Sequence, residues 1–154
     1  MALSPVTLTG RHVRLEPLAA VHFAALERNG AEAAIWQWMP YRNAEARESV
    51  RQWCATVGGM QARGEAAAFA IIEAASGEAV GGTSLFDYSE VHKRAEIGYT
   101  WHATRVWRTA VNTECKLLLL GHAFETLGLN RVQLKTDARN ERSQAAIARL
   151  GANV

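Results

Sequence analysis

The sequence predicts an α/β domain in which one mixed sheet carries helices on both faces. Three observations predict it. Stretches with apolar residues at every second position alternate with stretches whose apolar residues recur at three and four. The order of these stretches is strand, two helices, three strands, helix, strand, helix. The chain has 154 residues, 49% of them hydrophobic, which suits one core of ordinary domain size. No repeat, low-complexity tract or linker interrupts it, so residues 1–154 are read as a single domain.

Thr9 to Leu18 alternates Val13 and Leu15 with Arg14 and Glu16, a first strand ended by Pro17. A short helix over about Ala19 to Arg28 should bury Phe23 and Leu26 and stop at Asn29 and Gly30. The connector Ile35 to Tyr41, IWQWMPY, holds two tryptophans beside a proline that prevents a regular helix. Such aromatics either plug the core or line a pocket. In the second helix Asn43 is the expected cap, Val50, Trp53, Cys54, Val57 and Met60 form one buried face, and Gly58 and Gly59 weaken the end. Ala67 to Ala74 reads as a buried strand, turned by Ser76 and Gly77 into Glu78 to Tyr88, where Gly81 and Gly82 suggest a bulge or a close backbone approach.

Composition narrows the function classes. Lys and Arg number 17 against 15 Asp and Glu, a net charge of +2 that offers no broad field for nucleic acid. The two cysteines, Cys54 and Cys115, have no CxxC spacing and fall on apolar helical stripes, as buried free thiols do in a reducing cytoplasm. The start has no basic segment before an apolar run, and the longest aliphatic run, Leu117 to Leu120, is far short of a membrane span. A cytoplasmic protein without a membrane or nucleic-acid partner is expected.

The organising stretch is Glu96 to Leu127. Ala95, Ile97, Tyr99 and Trp101 alternate with Glu96, Gly98 and Thr100 as a strand, and an apolar helix follows. Asn112 or Thr113 can cap that helix, Glu114 lies where its dipole favours negative charge, and Gly128 stands past its end. The loop Ala103 to Val111 therefore presents N–H groups and a positive helix end, the geometry of an anion site. Arg131 to Ala138 is a fifth strand. The last helix has Asn140 as cap and Gly151 beyond its end, and Ser143, Ala146, Ile147 and Leu150 share one face of it.

Glu96 to His102, the loop WRTAVNTE from Trp107 to Glu114, the helix running into KTDARN and the final ERSQAAIARLGA together resemble the GNAT acyltransferase superfamily, most closely its RimJ/RimL-like branch. The resemblance covers the chain from Gly10 onward. It implies the GNAT fold, a splayed mixed sheet that admits the pantetheine arm of acyl-CoA where its fourth and fifth strands part. It also implies acetyl-CoA as co-substrate, no metal, and transfer of acetyl to a primary amine on a protein N-terminus, amino acid or small molecule.

Residue by residue, the family's pyrophosphate loop falls on Trp107, Arg108, Thr109, Ala110, Val111 and Asn112, without its two glycines. If Ala110 must take positive φ, the cost is about 1–2 kcal/mol, and Arg108 offers a charged phosphate contact in return. Trp101, His102, Thr113 and Asn140 complete the expected cofactor contacts. Ser143 matches a serine that holds or protonates the CoA thiolate, and Ile147 stands where other members carry a tyrosine acid. Glu96 matches a catalytic glutamate, and a structural pairing with Arg94 or Lys93 is its other reading. Trp36, Trp38, Met39, Tyr41 and Tyr99 are the expected acceptor-site residues. Family members continue with two further strands that this sequence, ending at Val154, does not contain, so it reads as the ordered portion of a longer protein or as a truncated one. An open sheet edge would then favour self-association, with a homodimer as one partner. A non-catalytic CoA-binding or oligomerising member of the same fold is the alternative function.

Overall fold

The computed structural model describes residues 3–41 and 45–153. Six strands form one sheet in chain order: β1 (Leu8–Thr9), β2 (Val13–Pro17), β3 (Ala66–Glu73), β4 (Ala79–Ser89), β5 (Arg94–His102) and β6 (Arg131–Leu134). Neighbours from β1 to β5 run antiparallel, and β5 and β6 run parallel. Four helices accompany them: α1 (Phe23–Asn29), α2 (Ala46–Ala62), α3 (Ala110–Gly121) and α4 (Glu141–Arg149). The mixed sheet with helices on both faces is the architecture that the sequence predicts.

Strand β3 shows how the sequence divides its two faces. Phe69 and Ile71 point with Val13, Leu15, Leu85 and Ile97 toward Val111, Cys115 and Leu119 of α3. Ala68, Ala70 and Ile72 point the other way, toward Leu26 of α1 and Val50, Trp53 and Val57 of α2. Small residues on that face leave room for the indoles of Trp36, Trp53 and Trp101, whose rings lie 5.1 Å (Trp36–Trp101) and 6.0 Å (Trp53–Trp101) apart.

Several boundaries differ from expectation for identifiable reasons. The single first strand is two, because Gly10 N–H donates to Val13 O at 2.8 Å and closes a tight turn. Glu114 reaches this turn from α3, its Oε1 accepting from His12 N at 2.6 Å and Val13 N at 2.8 Å. Burial pushes its carboxyl up, but the N–H groups of Val13, His12 and Arg11 outweigh that and hold it below the usual range. Phe23 is 40% exposed whereas Leu26 is fully buried, because a 3₁₀ turn over Ala20–His22 precedes α1 and rotates its face. Asn43 lies outside the described residues, and Glu45 occupies the N-cap of α2. That helix runs through Gly58 and Gly59 to Ala62, since the packing of Trp53 and Val57 outweighs glycine's poor propensity. Past α3 a π-helical turn, His122–Thr126, leads to Gly128 at φ +67°, the expected stop. Cys115 is buried and Cys54 half-buried, both free, with burial pushing their thiols up to about 12 and about 11.

Gly81 and Gly82 are the close approach anticipated from the sequence. A Cβ on Gly81 would lie 2.3 Å from Trp101 O, and one on Gly82 would lie 2.1 Å from Trp53 Cη2. Gly82→Ala is expected to displace the Trp53 indole and cost about 1–3 kcal/mol, measured as a lower urea midpoint with unchanged slope; a midpoint equal to wild type would show that Trp53 has space to move.

Candidate functional site

The site begins where β5 parts from β6. Strand β5 pairs with β6 only from Arg94↔Arg131 to Ile97↔Leu134, then continues to His102 beside β4. This divergence is why β6 ends at Leu134 and not at Ala138. On its other side β5 carries an extra residue, since Ser84↔Gly98 and Gly82↔Trp101 place Tyr99 and Thr100 opposite Thr83 alone. Tyr99 takes φ +54°, its carbonyl accepts from Trp53 Nε1 at 2.6 Å, and Thr100 Oγ1 lies 2.8 Å from Thr83 Oγ1.

A cleft of about 250 Å³ opens at this divergence. One wall is β5 from Ile97 to His102 and the other is Leu134 to Asp137 with α4. Asn140 caps α4 as expected, its Oδ1 accepting from Ser143 N at 3.2 Å. Ser143, Ala146, Ile147 and Leu150 all face the cleft, so the predicted stripe of α4 lines it.

The start of α3 forms the mouth. Its N-cap is Thr109, whose Oγ1 accepts from Val111 N at 3.3 Å, and not Asn112 or Thr113. The helix therefore starts at Ala110, and Asn112 and Thr113 lie within its first turn on the cleft wall. Positive φ falls on Arg108 at +62°, not on Ala110, at a cost of about 1–2 kcal/mol. Ala110 is exposed at the first helical position and Val111 is buried in the core; neither lines the cleft. Trp107 does, held by its Nε1 donating to His102 O at 2.9 Å, with Arg142 Cζ 3.7 Å above its ring. Arg139 stands 5.0 Å over the Trp38 ring and pairs with Asp137. Arg108 and Arg142 thus put positive charge at the cleft mouth.

Of the expected acceptor-site residues, Trp38, Met39 and Tyr99 reach the cleft. Trp36 and Tyr41 are buried in the core instead, Trp36 Nε1 donating to Gly30 O and the Ser49 hydroxyl donating to the Tyr41 carbonyl. The connector plugs and lines at once. Trp101 and His102 line the cleft, and neither Trp101 Nε1 nor His102 Nε2 has a hydrogen-bond partner among the described residues. Glu96 is buried on the face opposite α3, does not line the cleft, and pairs with Lys135 at 3.6 Å; Arg94 pairs with Asp87.

Sequence reasoning missed Lys116. It lies on α3 one turn beyond Asn112 and Thr113, is 6% exposed, and lines the cleft with Thr100 Oγ1 at 3.5 Å. Burial lowers its pKa to about 8. Its signal was a lysine on the cleft-facing side of a helix otherwise filled by aliphatic residues.

The match to known proteins follows this geometry. The family model described as "Acetyltransferase (GNAT) domain" matches residues 12–153. The chain belongs to the GNAT acetyltransferase family. A crystal structure described as a "putative acetyltransferase" from T. thermophilus is 36% identical, with a TM-score of 0.83 over 99% of this chain and 78% of that one. The Bacillus subtilis (strain 168) protein named "Putative ribosomal N-acetyltransferase YdaF" is 37% identical over 75 residues, 49% of this chain and 40% of that protein. Mycobacterium smegmatis RimJ in complex with CoA-disulfide shares the fold at 24% identity, with a TM-score of 0.78 over 96% of this chain and 75% of that one. The splayed sheet of this GNAT chain is thus the family's architecture.

Burial, then the cations of Lys116 and Arg142, push His102 down to about 3. A histidine depressed below its unfolded value contributes stability above about pH 6.5, and that stability is lost as pH falls toward the folded value. His102 should therefore stay neutral at pH 5 by its imidazole NMR shifts, and His102→Phe should flatten the acid side of the stability profile between about pH 6.5 and 3. A His102 resonance titrating near pH 6 would contradict this placement.

Proposed function

We propose that this GNAT chain transfers acetyl from acetyl-CoA directly to a primary amine, with a protein or peptide N-terminus as the favoured acceptor. One observation carries the reading: a cleft between parted strands, with a helix start and two arginines at its mouth. The start of α3, where Ala110 and Thr113 are exposed, and the Arg108 and Arg142 guanidiniums suit a pyrophosphate. Backbone groups of β5 beyond Ile97 have no partner in β6, and those that no side chain takes are available to amides of a pantetheine arm. The shared fold with a RimJ solved in complex with CoA-disulfide supports a CoA ligand for this cleft. The ribosomal acceptor in the YdaF name supports a protein acceptor here.

In this mechanism the amine approaches from the side of Trp38, Met39 and Tyr99, whose rings and thioether form its wall. Attack on the thioester carbonyl expels the thiolate toward Ser143, whose hydroxyl donates to sulfur. Glu96 acts through water, because it does not open onto the cleft. The thiol's pKa of about 8–9 makes the thiolate a tolerable leaving group, so holding the reactants in line contributes more than acid–base assistance.

Calorimetry should detect acetyl-CoA binding, and a thiol-release assay across peptide and small amines should find turnover. Absence of binding at millimolar ligand would refute the reading; binding without turnover on any amine would establish the non-catalytic alternative. Ser143→Ala should lower kcat about 10²-fold and leave acetyl-CoA affinity nearly unchanged. Equal loss of both would mark Ser143 as structural.

A further inference from the structure

Lys116 is the buried charge that the preceding mechanism leaves without a task. It projects from α3 about 10 Å along the axis from Thr109. Thr100 Oγ1, at 3.5 Å, is its recorded hydrogen-bond partner, and among the described residues no carboxylate pairs with it. An ammonium has three donors, and burying one against a single long hydroxyl contact costs stability that nothing nearby offsets. Of the groups around it, His102 from β5 and Cys115 beside it on α3 are neutral, Arg142 from α4 and Arg108 from the loop are positive, and Asp137, the carboxylate on the cleft wall, pairs with Arg139.

The missing partner is therefore part of whatever fills the cleft. Resting on the acetyl-CoA reading, the ligand carries its phosphates at one end and its thioester at the other. Arg108 and Arg142 are exposed at the mouth, whereas Lys116 is enclosed, beside the extra residue of β5. Phosphates that dock at the mouth leave the reactive end of the ligand in the interior. The charge that appears there during transfer is on sulfur.

We propose that Lys116 contacts the CoA sulfur and stabilises the thiolate that departs when the amine attacks. The amine lone pair forms the new C–N bond, the C–S bond breaks, and its electron pair passes to sulfur. The ammonium of Lys116 donates a hydrogen bond to that sulfur across from Ser143. The proton released by the attacking amine passes through water to Glu96, and the thiolate is later protonated from solvent. Lys116 keeps its charge throughout.

The test reads the thiol of bound CoA without turnover. Thiolate absorbance of the CoA complex is followed against pH in wild type, Lys116→Met and Lys116→Gln, with desulfo-CoA binding measured beside it. In wild type the bound thiol should titrate at least about one unit, tenfold in its ionisation constant, below free CoA. Both variants should return it to the free value or above, and all three proteins should bind desulfo-CoA equally. Identical thiol titrations in wild type and variants would overturn the assignment, as would an equal loss of desulfo-CoA affinity, which marks a packing role. Two variants are used because Met keeps the length and Gln keeps a donor, so that a folding defect in one leaves the other to decide. If CoA fails to bind even wild type, the acetyl-CoA reading itself falls and this one with it.

Discussion

Everything in this molecule depends on β5 being held to β4 while it is released from β6. The extra residue at Tyr99–Thr100 turns the strand, and Trp53 secures the turn by donating its indole N–H to Tyr99 O. Trp36 and Trp101 fill the space that this bend creates beneath the sheet. Beyond Ile97 the inner edge of β5 therefore carries backbone groups that no strand satisfies. In a closed sheet a neighbouring strand would pair such groups; here side chains take several carbonyls of this stretch, with Ser84 Oγ donating to Gly98 O, Trp53 Nε1 to Tyr99 O and Trp107 Nε1 to His102 O. Glycine at 81 and 82 is part of the same construction, because a Cβ at either position would push the Trp101 carbonyl or the Trp53 ring out of place.

The remaining elements use that gap. Helix α3 crosses it from one side, exposing Ala110 and Thr113 at its start and burying Lys116 one turn further on, so one helix presents both an open N-terminus and an enclosed ammonium. Glu114 ties the same helix to the β1–β2 turn at the far side of the sheet. The position of the cleft mouth is thus coupled to the first strands of the chain. The two tiers of positive charge differ in solvent, not only in place. Exposed Arg108 and Arg142 act through a screened field at modest strength per contact, whereas Lys116 acts where water is excluded and each charge counts for more.

The layered fold was legible because its signals are local and repeated. Strand alternation, the Asn140 cap and the Ser143–Leu150 stripe each depend on spacing within one element, and each is present in the structure. What could not be read depends on how elements meet. Thr109, Asn112 and Thr113 are all competent caps within a short stretch, and only the path of the loop selects Thr109. Trp36 and Trp38 are near neighbours in sequence, yet a 3₁₀ turn over Ala33–Trp36 sends one into the core and leaves the other on the cleft. Glu96 lies next to the divergence in sequence, but the pleat turns it to the face away from α3, where Lys135 is its partner. Lys116 was hidden because a lysine among leucines on one helix is read as a solvated side chain until the opposing strand is known.

The two long walls of the cleft are held with unequal strength, which bears on how a ligand would be gripped. Helix α3 buries Val111, Cys115, Lys116 and Leu119, whereas α4 buries no residue completely. What attaches α4 is its Asn140 cap, Gln144 donating to the carbonyls of Asp137 and Ala138, and Arg142 over Trp107, with Arg139 just before it over Trp38. Exposed cation–π contacts contribute about 0.5–1 kcal/mol each, far less than a buried leucine. Helix α4 therefore belongs to the less stable part of the fold, and a molecule seated between β5 and α4 supplies the apolar and polar contacts that this helix lacks. A ligand that fixes α4 would spend part of its interaction energy on that wall, and the affinity would be the remainder.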